Sequence, residues 1–355
     1  MESGQYVPGS VYFYAPNKGA PVFFAIAFAL SGVYHIYQCI HYKSWRLTGL
    51  YVFCAVLFTA GFVVREMGAF DYTNLVKYII SICLIYGAPP LLELANYNIL
   101  GRVLYYAPYH SPIHPGRVIT TFAFVSAVVE ALNGNGAALT ANQSLPQWRQ
   151  DIGRSLLKAA LLIQVVVIFL FAVLAVTFHR RCVKAGLENP KIYQPLYTLY
   201  ISTTLLMART VFRVVEYWSI AQHNFWEPGF DPRTLSPALQ YESFFYVFEA
   251  MLMLANSVLM NARHPRMWLP KSTKTYLDPT DGVTEVDGPG YKDGRKFWVT
   301  LVDPFDLWSL VGGGGGKGKR EEDMFWARGN NTAALSDNAN GDSGGGGRKR
   351  DLEAQ

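Results

Sequence analysis

Charge is what this chain has least of. Asp, Glu, Lys and Arg make up 16% of its 355 residues, where a soluble domain carries about a quarter. That scarcity argues against a water-soluble globule. Cysteine is scarce too. Cys39, Cys54, Cys83 and Cys182 are the whole supply, and their positions in or inward of hydrophobic stretches exclude a disulfide framework. Histidine is thinly spread: His110 and His114 are separated by the helix-breaking Pro112, and His35 stands alone in its stretch. No metal-ligand cluster results, so a histidine-rich metallohydrolase is unsupported and no metal or cofactor is expected. The last hydrophobic window has no lysine, which excludes a retinal Schiff base. The first window has neither a basic stretch before it nor a small-residue cleavage site after it, and so is expected to be a span rather than a removed signal peptide. No internal repeat is visible, which weakens an inverted-repeat transporter. Nothing in the basic clusters points to nucleic acid.

Apolar residues, by contrast, make up 51% of the chain. A helix needs roughly 20 of them in succession to cross the hydrocarbon core. Windows at 20–40, 47–64, 76–100, 117–138, 156–178, 196–218 and 240–261 meet that need. The sequence therefore predicts an all-α polytopic membrane protein with seven transmembrane helices. Aromatic residues at the window ends, such as Tyr42 with Trp45 and Tyr217 with Trp218, fit the interfacial belt. Lys and Arg are denser on one set of flanks (Lys43, Arg46, Arg102, Arg117, Arg180, Arg181, Lys184, Lys191, Arg263, Arg266, Lys271, Lys274) than on the other (Lys18, Arg65, Lys77, Arg149, Arg154, Lys158, Arg233). By the positive-inside rule the amino terminus is outside and the carboxyl terminus cytoplasmic. A plasma-membrane location is the expectation. Asn142-Gln143-Ser144 is a glycosylation acceptor pattern in an expected outer loop.

Three regions follow: an extracellular stretch 1–19, a helical domain 20–262, and a cytoplasmic tail 263–355 expected to be disordered. The tail holds the glycine runs Gly312–Gly316 and Gly344–Gly347 and little that could form a core. Gly313 to Lys319 has the spacing of a phosphate-binding loop, but Arg320 stands where the magnesium hydroxyl belongs and no strand precedes it. It reads as coincidence. Asp303-Pro304-Phe305 resembles a peptide that endocytic adaptors recognise, which makes trafficking adaptors candidate partners. A segment lying on the membrane surface is the plainer reading.

Ionisable residues inside spans are costly and point to function by default. Arg209, Arg213 and Glu216 recur at i, i+4 and i+7, as do Glu242, Tyr246 and Glu249, placing each set on one helix face. Glu93 and Glu130 add two more acids. At about 1.5 Å of rise per residue, Arg209, Glu249 and Glu130 share a level near the midplane, and Arg213 and Glu242 share one nearer the outer surface. Two ion pairs are expected, Arg209 with Glu249 and Arg213 with Glu242, either of which can serve packing alone. Five carboxylates (Glu93, Glu130, Glu216, Glu242, Glu249) would then face two guanidiniums. The surplus acids must protonate, sit in a wet cavity or meet a cation. Pro89-Pro90 should bend the third span, and Gly134-Asn135-Gly136 should loosen the fourth.

Four stretches carry a family likeness: YGAPPLLELANYNILGRVLYY (86–106), RTVFRVVEYW (209–218), YESFFYVFEAM (241–251) and NSVLMNARHPRMWLP (256–270). Over residues 20–270 the chain resembles the fungal lipid-translocating exporters of the "resistance to aminocholesterol" group. The resemblance implies a non-enzymatic translocator of amphipathic lipids, sphingoid long-chain bases among them, that confers resistance to toxic amphiphiles. It implies substrate-binding roles for Arg209, Arg213, Glu216, Glu242, Tyr246 and Glu249, and for Glu130 at the same level. Two positions depart from the family pattern: Asn133 stands where a glutamine is expected after the span-4 acid, and Glu93 where a small residue is expected. Membrane lipids or amphipathic small molecules would be the partners. A seven-helix receptor or sensor and an exporter of a secondary metabolite are the alternatives. The receptor reading is weakened by Gly101-Arg102-Val103, which lacks the acid-Arg-aromatic order expected at the inner end of span 3.

Overall fold

The computed structural model describes residues 10, 12, 14–71, 73–141, 144–221, 236–279, 281–288 and 298–299. Among them the chain is predominantly helical. Helix α1 is Ala20–His41, α2 Trp45–Ala69, α3 Leu75–Gly87, α4 Pro89–Tyr106, α5 Pro115–Ala141, α6 Gln147–Lys184 and α7 Pro190–Ala221. After the undescribed loop come α8 (Pro237–Gln240), α9 (Glu242–Phe245), a π-helical turn (Tyr246–Met251) and α10 (Leu252–Ala262). Six helical stretches are long and apolar enough to cross a bilayer: 20–41, 45–69, 75–106, 115–140, 147–184 and 242–267. Phe23, Leu30, Val33, Ile40 and Phe53 are each more than half exposed. Such rows suit lipid rather than water. The chain is an integral, multi-pass membrane protein. The predicted window 196–218 falls in α7, a helix of 32 residues, whose Arg209, Arg213 and Glu216 interrupt its apolar run.

Local chemistry explains the joints. Asn74 caps α3 by accepting from the Lys77 amide at 3.3 Å. Helix α6 stops at Gly186, whose φ of 70° suits glycine, and the Leu187 amide closes the end on the Cys182 carbonyl at 3.1 Å. The proline pair does more than bend a span. It ends α3 and restarts the chain as α4, with Pro89 and Pro90 in the first turn, where missing amide donors cost little. The Ala88 carbonyl still accepts from the Leu91 amide at 3.1 Å and the Cys54 thiol at 3.4 Å.

Helix α4 packs against α2, α5 and α7 and is the centre of the bundle. Leu92, Ala95, Tyr97, Ile99, Leu100, Val103 and Leu104 are all buried on it. Asn96 ties it to both sides: it accepts from the Tyr51 hydroxyl of α2 at 3.2 Å and donates to the Ser202 hydroxyl of α7 at 2.8 Å.

Two sequence expectations need correction here. Helix α5 is continuous through Gly134-Asn135-Gly136. A Cβ on Gly136 would meet the Gly153 carbonyl of α6 at 2.9 Å, and one on Gly153 the Gly136 carbonyl at 2.8 Å. The glycines let two helices touch, as small residues do in membranes; they do not loosen one. Second, the region after 262 does not begin disordered. Strands β1 (Thr275–Leu277) and β2 (Glu285–Asp287) pair antiparallel with Tyr276 opposite Val286. Leu277 is fully buried, and β1 lies against α4. Glu285 accepts from the Tyr106 hydroxyl at 2.7 Å and the Lys191 ammonium at 2.6 Å. The hairpin uses only a handful of apolar residues, too few to show in a compositional reading. The rest of the tail, with Asp303-Pro304-Phe305, and the acceptor Asn142 lie outside the described residues.

Candidate functional site

Arg209 of α7 lies against Glu249 of the π-helical turn. Its Nε donates to Glu249 Oε1 at 2.7 Å, and Nη2 stands 2.7 Å from the same oxygen. The two side chains are 5% and 0% exposed, so this charge pair is shielded from solvent. Glu249 Oε2 has no partner. The sequence expectation of a pair at this level holds.

The expected pair between Arg213 and Glu242 does not form. Glu242 accepts from Arg65 of α2 at 2.9 Å, from the Asn17 amide at 2.7 Å and from the Tyr246 hydroxyl at 3.0 Å. Arg213 pairs within its own helix with Glu216, donates to the Tyr86 hydroxyl of α3 at 2.9 Å, and lies 3.8 Å from the centroid of that ring. Two physical causes account for the difference. The π-helical turn that begins at Tyr246 and contains Glu249 breaks the seven-residue spacing that put Glu242 and Glu249 on one face. One carboxylate therefore meets α2 and the other α7. The second cause is Arg65, read from sequence as a loop base. It is 1% exposed, with its guanidinium 4.0 Å from the Phe245 ring and 3.1 Å from the Tyr14 hydroxyl. The signal was there: α2 stays apolar through Gly61-Phe62-Val63-Val64 and runs on to Ala69.

The balance of acids changes with these partners. Glu216, Glu242 and Glu249 each have a guanidinium. Among the described residues Glu93 and Glu130 have none within ion-pair distance. Glu93, on α4, is buried and accepts from neutral donors, Gln164 of α6 at 2.9 Å and Tyr97 at 3.3 Å. Glu130, on α5, is half-buried with Asn133 as its hydrogen-bond partner. Glu93 and Glu130 line one gap with Pro90, Ser126, Val129 and Gln164. It spans about 200 Å³ and is too tight to hold a water molecule. A second narrow gap of about 180 Å³ reaches Glu93 from the Asn96 and Thr203 side. Two acids from α4 and α5 and the Gln164 amide from α6 thus converge beside the proline break. The sequence singles out Glu130 as a substrate-binding residue and counts Glu93 among the surplus intramembrane acids without assigning it a site role; Gln164 was missed. A lone amide in an apolar run, Leu161-Leu162-Ile163-Gln164, was the available sign.

Among the described residues no group of three or more histidines, cysteines and acids could hold a metal. The arrangement can hold a positive charge by acids alone, which suits an ammonium.

The sequence profile of the family described as RTA1 like protein matches residues 51–272. A lipid-translocating exporter-like protein RTA1 of Leptosphaeria maculans is 47% identical over 82% of this chain and 57% of its own length; the chain thus spans little more than half of that relative. A protein of the same name from Ajellomyces capsulatus is 27% identical over 72% of the chain and 80% of its own length. The "Probable lipid transporter atnI" of Emericella nidulans is 22% identical over 73% and 70%. No solved structure matches the chain.

Proposed function

The chain belongs to the RTA1-like family, and on that premise we propose that it translocates amphipathic lipids, with a cationic headgroup received between Glu93 and Glu130. The relatives' names supply the lipid; the acids supply the sign of the headgroup. The observation that carries the reading is that these two acids, alone of the five, lack an arginine partner among the described residues and line the same gap. A buried carboxylate without a countercharge is costly. An ammonium such as that of a sphingoid long-chain base removes the cost by entering.

Helix α7 is then the seventh span, held in the bilayer because its guanidiniums are spent on Glu249, Glu216 and the Tyr86 ring. The amino terminus is outside and the tail inside, at the plasma membrane, with adaptors reading Asp303-Pro304-Phe305. The chain acts without covalent chemistry. The proline break at Ala88 is where α4 swings to widen the gap from its closed state.

The test is full-length protein in liposomes with fluorescent long-chain base, phosphatidylcholine and phosphatidylserine. Wild type should move the base. Glu93→Gln with Glu130→Gln should slow it about tenfold, equivalent to about 1.4 kcal/mol of headgroup attraction. No movement of any lipid, or equal rates in the glutamine variant, would overturn the proposal.

A further inference from the structure

We propose that the groove between the ends of α6 and α7, at the basic end of the bundle, is a binding site for the phosphate of an anionic membrane lipid, separate from the acidic gap and from the translocated molecule. Arg180 and Lys184 stand one helical turn apart on α6 and line a groove of about 620 Å³ together with Val176, Val183, His179 and Tyr200. Both cations are exposed, and neither makes an ion pair or hydrogen bond with any described residue. Glu188, on the turn that follows, pairs with neither. Two free cations at i and i+4 present adjacent donors toward one anion.

The rest of the groove is built for an amphiphile. Val176 and Val183 are 38% and 57% exposed and give an apolar wall on the same side as the cations. The floor is rigid. His179 Nδ1 is 2.9 Å from the Tyr200 hydroxyl, which also reaches the Ala175 carbonyl at 3.3 Å. The His179 ring is flanked by Tyr193 at 5.2 Å and Tyr200 at 5.8 Å between centroids. Aromatic rings with polar tips belong at the headgroup level, which sets the depth of the site. A free phosphate would use the cations and leave the valine wall unused; a phospholipid uses both. Basic pockets between transmembrane helices at this level are suited to anionic headgroups.

The experiment is native mass spectrometry of delipidated full-length protein titrated with phosphatidic acid, phosphatidylserine, phosphatidylcholine or inorganic phosphate. The anionic lipids should be retained over phosphatidylcholine. Arg180→Gln with Lys184→Gln should weaken phosphatidic acid binding about 30-fold, from roughly fivefold per cation near the surface. The charge-preserving Arg180→Lys with Lys184→Arg should keep it, which separates binding from folding. The same charge loss at the other end of α6, Arg149→Gln with Arg154→Gln, should leave it unchanged. Equal retention of phosphatidylcholine, no loss in the glutamine pair, equal loss in the distant control, or displacement by inorganic phosphate at lipid concentrations would each overturn the proposal. Lipid translocation by wild type is not read in this assay, so its outcome is independent of the transport reading.

Discussion

Removing either member of the Arg209–Glu249 pair strands the other. At 2.7 Å and an effective dielectric constant of about 20, the attraction is about 6 kcal/mol. Desolvation takes back much of that, and deleting one partner of a buried pair typically costs about 3–5 kcal/mol. Exposures of 5% and 0% leave little solvent screening to lower the figure. Arg209→Ala should leave the fully buried Glu249 carboxylate without its guanidinium. Glu249→Ala should leave the Arg209 guanidinium, 5% exposed, without its carboxylate. The double alanine variant should regain most of the loss, since no unpaired charge remains at that point. The assay is melting temperature in detergent at matched expression, with falls on the order of 10 °C for the single variants. Single variants that melt like wild type would refute the pairing. A double variant as unstable as the sum of the singles would refute the claim that the cost lies in the unpaired charge.

The partner of Glu242 gives a second check: a double-mutant cycle should show coupling above about 1 kcal/mol between Arg65 and Glu242 and none between Arg213 and Glu242. Gly136→Leu or Gly153→Leu should lower stability by about 1–3 kcal/mol by forcing α5 from α6, read as a fall in melting temperature; unchanged melting would deny the close contact. Truncation after residue 288 should leave detergent-stable protein, whereas truncation after 274 should not, because it strips the hairpin from α4. Hydrogen bonds from the Lys191 ammonium and the Tyr106 hydroxyl hold the Glu285 carboxyl below the usual carboxylate range. Its folded value is thus depressed, so its contribution is present above about pH 4.3 and is lost as pH falls through the folded value. Protection of the hairpin from proteolysis should weaken in that acid window for wild type and show no such step in Glu285→Gln.

What could be read from sequence and what could not divide along physical lines. Helical spans are written in long apolar runs, and six of the windows fall on the observed helices, which run up to nine residues beyond them. Depth along a helix is nearly linear in residue number, so the level of Arg209 and Glu249 was accessible. Azimuth is not: it depends on regular 3.6-residue turns, and the π-helical turn at Tyr246–Met251 moved Glu242 away from Arg213 without leaving a sequence mark. Arg65 was lost for a related reason, since a window drawn by hydropathy ends at its first charge even where the helix continues. Glycines carry two opposite meanings in a membrane helix, loosening or close approach, and only the neighbour Gly153 decides between them for Gly136. That Glu93 and Glu130 lack an arginine among the described residues could not be read before the arginines had been assigned.

The central claim is that two unpaired acids select a positive headgroup. Full-length protein in liposomes can be offered a fluorescent long-chain base and its N-acetylated, uncharged analogue side by side. Wild type should move the amine at least about tenfold faster, and Glu93→Gln with Glu130→Gln should bring the two rates together by slowing the amine alone. Equal rates for both molecules in wild type, or a preference that survives the double glutamine change, would contradict it.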